Sequence, residues 1–260
     1  MKFFHAVFAI SIFLLLTSCE KNITPFVSEQ AEASLSNFIL KNAHLELSDE
    51  LIACAAGGQR VLWEDPVFPI SVIFYPVDGA TNFRYFETAS VGVDPDDFSR
   101  YSEKKFADVG IFNGYLRRFL RNPVDRDVWG RVVYETPGKL HISNAIRIKL
   151  VDKPSQFAPE LCQIDLTTAT EPRFQWQDGI IPENAIYFHV VSDEFGNLIS
   201  GTYTYDKHFR FYDLSNVVLN IRDVNPPPTL EPNKKYIFTM LGVSLDNWVN
   251  LAMEKEFLTQ

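Results

Sequence analysis

Apolar and polar residues alternate with a period of two along most of the chain. In the run Leu140–Leu150, Ile146 and Ile148 fall on one face of an extended segment. Arg147 and Lys149 fall on the other face. Such alternation predicts β-strands with one buried and one solvated face. Similar runs recur about every ten residues with turn signals between them, which is typical of β-sandwiches. The 22 Phe and 10 Tyr residues suit a core between two pleated sheets.

Two segments carry helical signals instead. Glu29–Lys41 has apolar residues at loosely helical spacing, which predicts a helix before the first strands. Further on, Asp94 is typical of an N-cap and Pro95 of the first helical position, so we expect a short helical insertion that runs to about Phe106. The acidic residues around Pro95 could instead form a calcium loop. An EF-hand needs a glycine at its sixth position and a glutamate at its twelfth, and neither is present, so capping is favoured.

A short apolar stretch, Ala6–Leu16, precedes the alternating region and is interrupted by Ser11 alone. Crossing a bilayer takes about 20 apolar residues, more than this stretch provides, so it predicts the hydrophobic region of a signal peptide. The stretch ends in Leu16-Thr17-Ser18-Cys19, which resembles the lipobox of bacterial lipoproteins. The resemblance implies cleavage before Cys19 and lipidation of its thiol. An ordinary secretory signal with a chance cysteine is the alternative.

The resemblance also implies where the protein lies. In such lipoproteins, acyl chains that include palmitate hold the cysteine in the cell outer membrane. Each buried methylene group contributes about 0.8 kcal/mol, so several chains make a stable anchor. Glu20 stands where an Asp would favour retention in the inner membrane, which implies sorting outward. Whether the protein faces the periplasm or the cell surface stays open.

The charge of the chain narrows the choice of partners. It carries 24 Lys and Arg against 33 Asp and Glu, a formal net charge of −9. Nucleic-acid binding depends on clusters of Lys and Arg, so we expect no nucleic-acid partner. A peripheral site for anionic lipid is disfavoured on the same ground. The expected membrane contact is therefore the N-terminal lipid.

Besides Cys19, the chain contains two cysteines, Cys54 and Cys162. In an oxidising compartment these two could form a disulfide. They could equally be free, buried thiols that pack as small apolar side chains. Free thiols are favoured slightly, because the two residues lie far apart in different segments of the chain.

The second half of the chain resembles a fibronectin type III domain. In Leu230–Tyr236, a Leu, a Pro and a Tyr have the spacing of the corner that precedes that family's strand F. At such a corner the Tyr hydroxyl hydrogen-bonds the backbone of the preceding loop. Trp176 stands where the family places its core Trp. The first half resembles the family less closely, through the hairpin Trp129–Leu150 with its turn at Pro137-Gly138-Lys139, and it has Trp129 in place of the corner Tyr.

The two resemblances together imply a domain organisation. The expected fold is all-β, with two tandem fibronectin type III-like sandwiches behind a signal peptide. The expected segments are a signal peptide at 1–18, a tether and lead-in at 19–58, a first sandwich at 59–153, a linker at 154–163 and a second sandwich at 164–260.

Motifs that would indicate catalysis are absent from the sequence. The chain has no G-x-S-x-G elbow, no G-x-x-x-x-G-K loop and no G-x-G-x-x-G turn. The histidines that follow Cys19 show no spacing typical of metal ligands: His44, His141, His189 and His208. We expect these histidines to be structural and hydrogen-bonded. We therefore expect no enzymatic activity, no metal and no cofactor.

The candidate ligand-binding residues lie in loops. Asp246-Asn247-Trp248 connects the last two predicted strands, and a Trp flanked by Asp and Asn suits stacking on a sugar ring. Trp63, at the start of the first sandwich, is a further candidate for stacking on a ligand. Trp248 could instead fold back over a core as a lid. The main hypothesis is a binding module for a glycan or an envelope protein, and the alternative is a spacer without a small ligand. Burial of both Trp side chains would favour the spacer.

Overall fold

The computed structural model describes residues 34–58, 70–123, 125–168, 170–221 and 229–260. The predicted signal peptide, Cys19 and Trp63 lie outside these ranges. Before the first strand comes helix α1 (Leu35–Lys41), capped by Ser34, whose hydroxyl accepts a hydrogen bond from the Asn37 backbone N–H at 3.3 Å. Within the described ranges, no helix has both the length and the apolar character needed to cross a membrane.

Ten strands, numbered in chain order, form the first sandwich. They are β1 (Glu46–Leu51), β2 (Ala53–Gly57), β3 (Ile70–Phe74), β4 (Thr81–Glu87), β5 (Ser102–Lys104), β6 (Asp108–Ile111), β7 (Leu116–Arg121), β8 (Val128–Thr136), β9 (Lys139–Ser143) and β10 (Ile146–Ile148). The larger sheet has the order β1-β9-β8-β4-β5, with β10 also paired to β8. The smaller sheet has the order β2-β3-β7-β6. Gly138 has a φ of 84°, which lets the chain turn tightly between β8 and β9 as the sequence predicts.

Nine further strands form the second sandwich. They are β11 (Gln156–Phe157), β12 (Cys162–Asp165), β13 (Arg173–Trp176), β14 (Ile186–Asp193), β15 (Leu198–Thr204), β16 (His208–Arg210), β17 (Val217–Asn220), β18 (Lys235–Val243) and β19 (Val249–Leu258). The larger sheet has the order β11-β19-β18-β14-β15-β17. The smaller sheet has the order β12-β13-β16.

The two sandwiches share a core of strand pairings, although β6, β10 and β17 have no counterpart in the other sandwich. In each, the first strand pairs in parallel with the returning strand of the final hairpin, β1 with β9 and β11 with β19. The second and third strands start the small sheet, and a later strand, β7 or β16, pairs with the third. The fourth strand crosses to the large sheet and pairs with the final hairpin. This arrangement is that of immunoglobulin- and fibronectin-like sandwiches, so the predicted all-β fold is confirmed.

A tyrosine fixes the corner before β18. The Tyr236 hydroxyl accepts a hydrogen bond from the Glu231 backbone N–H at 2.9 Å, and Leu230 beside it is buried. This is the corner that the sequence predicts, because the bond holds the crossover between the two sheets in place. Trp176 lies in the core with its ring against Tyr187, at a centroid distance of 5.5 Å, so its predicted core position is also confirmed.

The large sheet of the second sandwich packs its outer face on the small sheet of the first. The shared apolar cluster between them includes Ala56, Ile73 and Leu116 on one side and Phe188, Val190 and Leu241 on the other. All five residues of β3 are buried for this reason, as are the inner six of β14. The four sheets therefore stack in layers, and α1 covers the free face of the first large sheet through the buried Leu35.

The domain boundaries differ from those predicted. β1 and β2 lie within residues 19–58, yet they pair with β9 and β3, so the first sandwich begins before residue 59. β11 lies in the predicted linker and pairs with β19, so the second sandwich begins before residue 164. The reason is that each sandwich recruits the chain immediately before it as an edge strand.

The helical insertion is shorter than predicted. It is one turn of 3₁₀ helix, Phe98–Arg100, and β5 follows where a helix to Phe106 was expected. Asp97 caps this turn through the Ser99 backbone N–H at 3.0 Å, and Asp94 accepts a hydrogen bond from the Asp96 backbone N–H at 2.9 Å. Asp97 is therefore the N-cap in place of the predicted Asp94, and both carboxylates bind nearby backbone.

Candidate functional site

Trp248 is buried completely, between the two sandwiches. Its ring joins the core of the first sandwich, and its indole N–H donates a hydrogen bond to the Lys153 carbonyl oxygen at 2.8 Å. A ring in this position has no free face on which a sugar could stack. The prediction that Trp248 binds a ligand is therefore wrong. The lid alternative describes the structure better, although the core that Trp248 covers belongs to the other sandwich.

The polar neighbours of Trp248 are also used by the first sandwich. The Asp246 carboxylate lies 2.6 Å from the Lys149 ammonium group. The backbone carbonyl oxygen of Asp246 accepts a hydrogen bond from the Arg147 backbone N–H at 2.9 Å. The Asn247 amide donates to the Ala145 carbonyl oxygen at 2.9 Å, and the Asn247 carbonyl oxygen accepts from the Ala55 backbone N–H at 3.0 Å. We call Ser244–Trp248 the docking loop. The Asp246 carboxylate and the Asn247 amide are bonded to the first sandwich and are not free to hydrogen-bond a sugar, which corrects the prediction of a glycan site in this loop.

The chain between the sandwiches adds further contacts. The Ser155 hydroxyl donates to the Val249 carbonyl oxygen at 2.6 Å and accepts from the Gly57 backbone N–H at 3.0 Å. The Ser155 backbone N–H donates to the Gly57 carbonyl oxygen at 2.7 Å. One side chain thus joins β2, the connecting segment and β19. The predicted linker is a bonded part of the junction.

Both described cysteines are free thiols. Cys54 lies in β2 on the face towards the second sandwich, whereas Cys162 lies in the core of the second sandwich. Burial raises the pKa of Cys54 to about 12 and that of Cys162 to about 11. The disulfide alternative is therefore wrong, and both groups are neutral thiols at physiological pH.

The histidines differ in their surroundings. His141 stacks on Tyr134 and lies 2.9 Å from the Thr136 hydroxyl through Nε2. His189 is fully buried against Phe209 and Trp176, and neither of its ring nitrogens has a hydrogen-bond partner among the described residues. The expectation of a hydrogen-bonded histidine is wrong at this position. Among the described residues, no group of three or more His, Cys, Asp or Glu side chains could hold a metal ion.

A cavity of about 240 Å³ lies between the two sandwiches, and we call it the junction cavity. Its lining residues come from both sandwiches, and the list includes Ala53, Cys54, Ile73, Phe74 and Leu116 from the first and Ile186, Phe188, Tyr203, Val218, Leu219 and Val243 from the second. This site was not predicted from the sequence. A signal was present, because Ile70-Ser71-Val72-Ile73-Phe74 is nearly continuous in apolar residues and so predicts a strand buried on both faces.

A second concave surface is polar. This groove, which we call the amide groove, has a volume of about 340 Å³ and lies across the exposed face of the small sheet of the second sandwich, over β12, β13 and β16. Gln163 and Gln175 lie directly opposite each other on β12 and β13. The other polar lining residues are Glu160, Gln177, Lys207 and His208. Amide groups both donate and accept hydrogen bonds, so the groove suits a ligand rich in hydroxyl groups.

Comparisons with known proteins add little to this picture. No family model matches the chain, and no curated protein matches it. Among solved structures, the FN1–FN3 domains of chicken CNTN1 match with 9% sequence identity over 83% of this chain and 68% of that chain, at a TM-score of 0.29. A TM-score this low does not establish a common fold, so the fold assignment rests on the strand pairings that the two sandwiches share.

Proposed function

We propose that this protein is a non-catalytic spacer of the bacterial cell envelope, anchored by a lipid on Cys19. Its two sandwiches act as one unit that holds the far end of the molecule at a fixed distance and orientation from the membrane. The observation that carries the proposal is the insertion of Trp248 into the core of the neighbouring sandwich.

The docking loop explains why a spacer is favoured over two independent binding domains. Domains in one chain move relative to each other unless their interface is large and apolar. Here the interface contains a continuous apolar cluster, a buried Trp and a partly buried ion pair between Lys149 and Asp246. A chain that only displayed a ligand-binding loop would not need these contacts. Of the candidate ligand-binding residues, Asp246, Asn247 and Trp248 bind the other sandwich at the junction.

The anchor rests on the lipobox resemblance, and a direct test is available. Cells would be fed a fatty acid with an alkyne tag, and the protein would be isolated and assayed for the tag. We expect labelling and outer-membrane fractionation of the wild-type protein and of Cys54→Ala, and loss of both in Cys19→Ala. Equal labelling of Cys19→Ala would contradict the anchor.

The spacer role is tested in cells that lack the native protein and have a measurable envelope defect, such as sensitivity to detergent. The wild-type protein and Leu245→Ala should restore resistance, because Leu245 is an exposed residue of the docking loop. Trp248→Ala should be anchored and abundant yet fail to restore it. Full restoration by anchored Trp248→Ala would argue against a spacer.

Glycan binding is a second candidate, favoured by the amide groove. Residues 20–260 would be run in affinity gels that contain soluble polysaccharides. We expect retardation by one polysaccharide, lost in Gln163→Ala/Gln175→Ala and kept in Lys234→Ala, a control on the surface elsewhere. Trp63→Ala belongs in the same series, because Trp63 stays a predicted stacking residue. If no polysaccharide in the panel retards the protein, the glycan hypothesis is rejected and the spacer stands alone.

A further inference from the structure

We propose that the junction cavity binds a small, neutral, apolar molecule, of the size of a substituted aromatic ring or a short alkyl chain. The ligand would contact both sandwiches at once. This site is separate from the amide groove, and the inference does not depend on the spacer role.

The walls of the junction cavity supply the apolar surface. The first sandwich contributes Ile73 and Leu116 from its small sheet, and the second contributes Ile186, Phe188 and Val243 from its large sheet. Elsewhere along the same interface the two sheets pack directly on each other. Protein interiors are normally packed as densely as organic crystals, so a gap of this size between two apolar sheets is unusual. An apolar ligand would restore the missing contacts.

The polarity of the cavity selects a neutral ligand. None of its described lining residues has a charged side chain. Its polar groups are the Cys54 thiol, the hydroxyls of Tyr75 and Tyr203 and the Asn247 amide, which is already bonded to the Ala145 carbonyl oxygen. Burial is the main cause that raises the pKa of Tyr203 well above its usual value, and the nearby Cys54 is the second cause. Burial also raises the pKa of Cys54, so the Tyr203 hydroxyl and the Cys54 thiol stay protonated. An ion would lose its hydration here and gain no counter-charge.

The volume and the opening set the size of the ligand. A cavity of about 150 Å³ lined by apolar side chains binds benzene, and the junction cavity is larger, at about 240 Å³. Val218 and Leu219 on β17 line it while keeping 45% and 41% of their surface exposed, so they mark its mouth. A flat or slender molecule that enters beside β17 would reach Cys54 from the second sandwich's side.

The experiment uses residues 20–260, which contain every described strand, with Cys162→Ala so that Cys54 is the sole thiol. The probes are indole, p-xylene and 1-hexanol, with benzoate as a charged control. We expect at least one neutral probe to raise Tm by several degrees and to slow the labelling of Cys54 by N-ethylmaleimide at least fivefold. Benzoate should do neither. Unchanged Tm and unchanged labelling rate with all three neutral probes would overturn the proposal.

Substitutions then locate the site. Cys54→Leu places extra methyl groups in the cavity, so we expect its Tm to equal or exceed that of the parent and the response to the active probe to disappear. Val218→Phe, at the mouth of the cavity, is the second cavity variant and serves if Cys54→Leu is poorly folded. We expect it to lose the response to the active probe as well. Leu214→Phe, an exposed leucine outside the cavity lining, should respond like the parent. A probe response that survives both cavity variants would show binding elsewhere and contradict the assignment.

Discussion

His189 lies in an environment that disfavours its charged form. It is fully buried among aromatic rings, and burial lowers its pKa to about 3. The unfolded chain has an ordinary histidine pKa of about 6.5. As the pH falls below about 6.5, His189 binds a proton in the unfolded state, whereas in the folded state it stays neutral until the pH is about 3. Folding stability therefore decreases over this window.

This linkage gives a quantitative expectation. Between pH 7 and pH 5 the wild-type protein should lose about 2 kcal/mol more of its free energy of unfolding than His189→Leu does. Urea unfolding at the two pH values measures the difference. An equal loss in both proteins would mean that the pKa of His189 is not lowered in the folded state. His189→Leu also removes two unpaired buried nitrogens, which favours the variant at every pH.

The Tyr236 hydroxyl supports the corner before β18 through one hydrogen bond. Tyr236→Phe removes that bond and leaves the Glu231 N–H without its partner, so we expect a loss of about 1–2 kcal/mol in the free energy of unfolding. Tyr205→Phe is the matched control, because Tyr205 is exposed, and it should change stability by less than about 0.5 kcal/mol. Equal effects of the two substitutions would show that the corner bond does not stabilise the sandwich.

At the scale of elements, the local signals predicted most strands. The turn at Gly138 and the corner at Tyr236 are decided by short-range chemistry, which is why both could be predicted from a few residues. The predicted helical insertion was too long because residues at its end form β5, which pairs with β4. Capping residues do not indicate such a pairing. The burial of Trp248 could not be predicted either, because it depends on contacts with the first sandwich, whose residues lie far away in the sequence.

Strand β3 offers the clearest test of the interface between sheets. Ile73 is 3% exposed although it points away from its own sandwich core, because the second sandwich covers it. Ile73→Ala should cost about 2–4 kcal/mol of stability. Leu47→Ala, on a β1 side chain that is 51% exposed, should cost less than about 0.5 kcal/mol. Chemical denaturation distinguishes the two. A small cost at Ile73 would mean that the sheets do not pack tightly in solution.

At the scale of the whole molecule, the sandwiches are joined by three kinds of contact. An apolar cluster lies between the two sheets, the docking loop inserts Trp248 into the neighbouring core, and Ser155 hydrogen-bonds to both sides from the connecting segment. The same interface leaves the junction cavity open. The packing that holds the two sandwiches together thus also encloses the cavity for which we propose an apolar ligand.

The two sandwiches should keep a fixed relative orientation, and a spin-label distance measurement checks this. Labels would be placed at the exposed positions of Leu40→Cys on α1 and Phe195→Cys in the second sandwich, with Cys54 and Cys162 replaced by alanine. We expect one narrow distance distribution, which broadens in Trp248→Ala and stays narrow in Leu245→Ala. A broad distribution without any docking-loop substitution would mean that the two sandwiches move independently and that the molecule is not a rigid spacer.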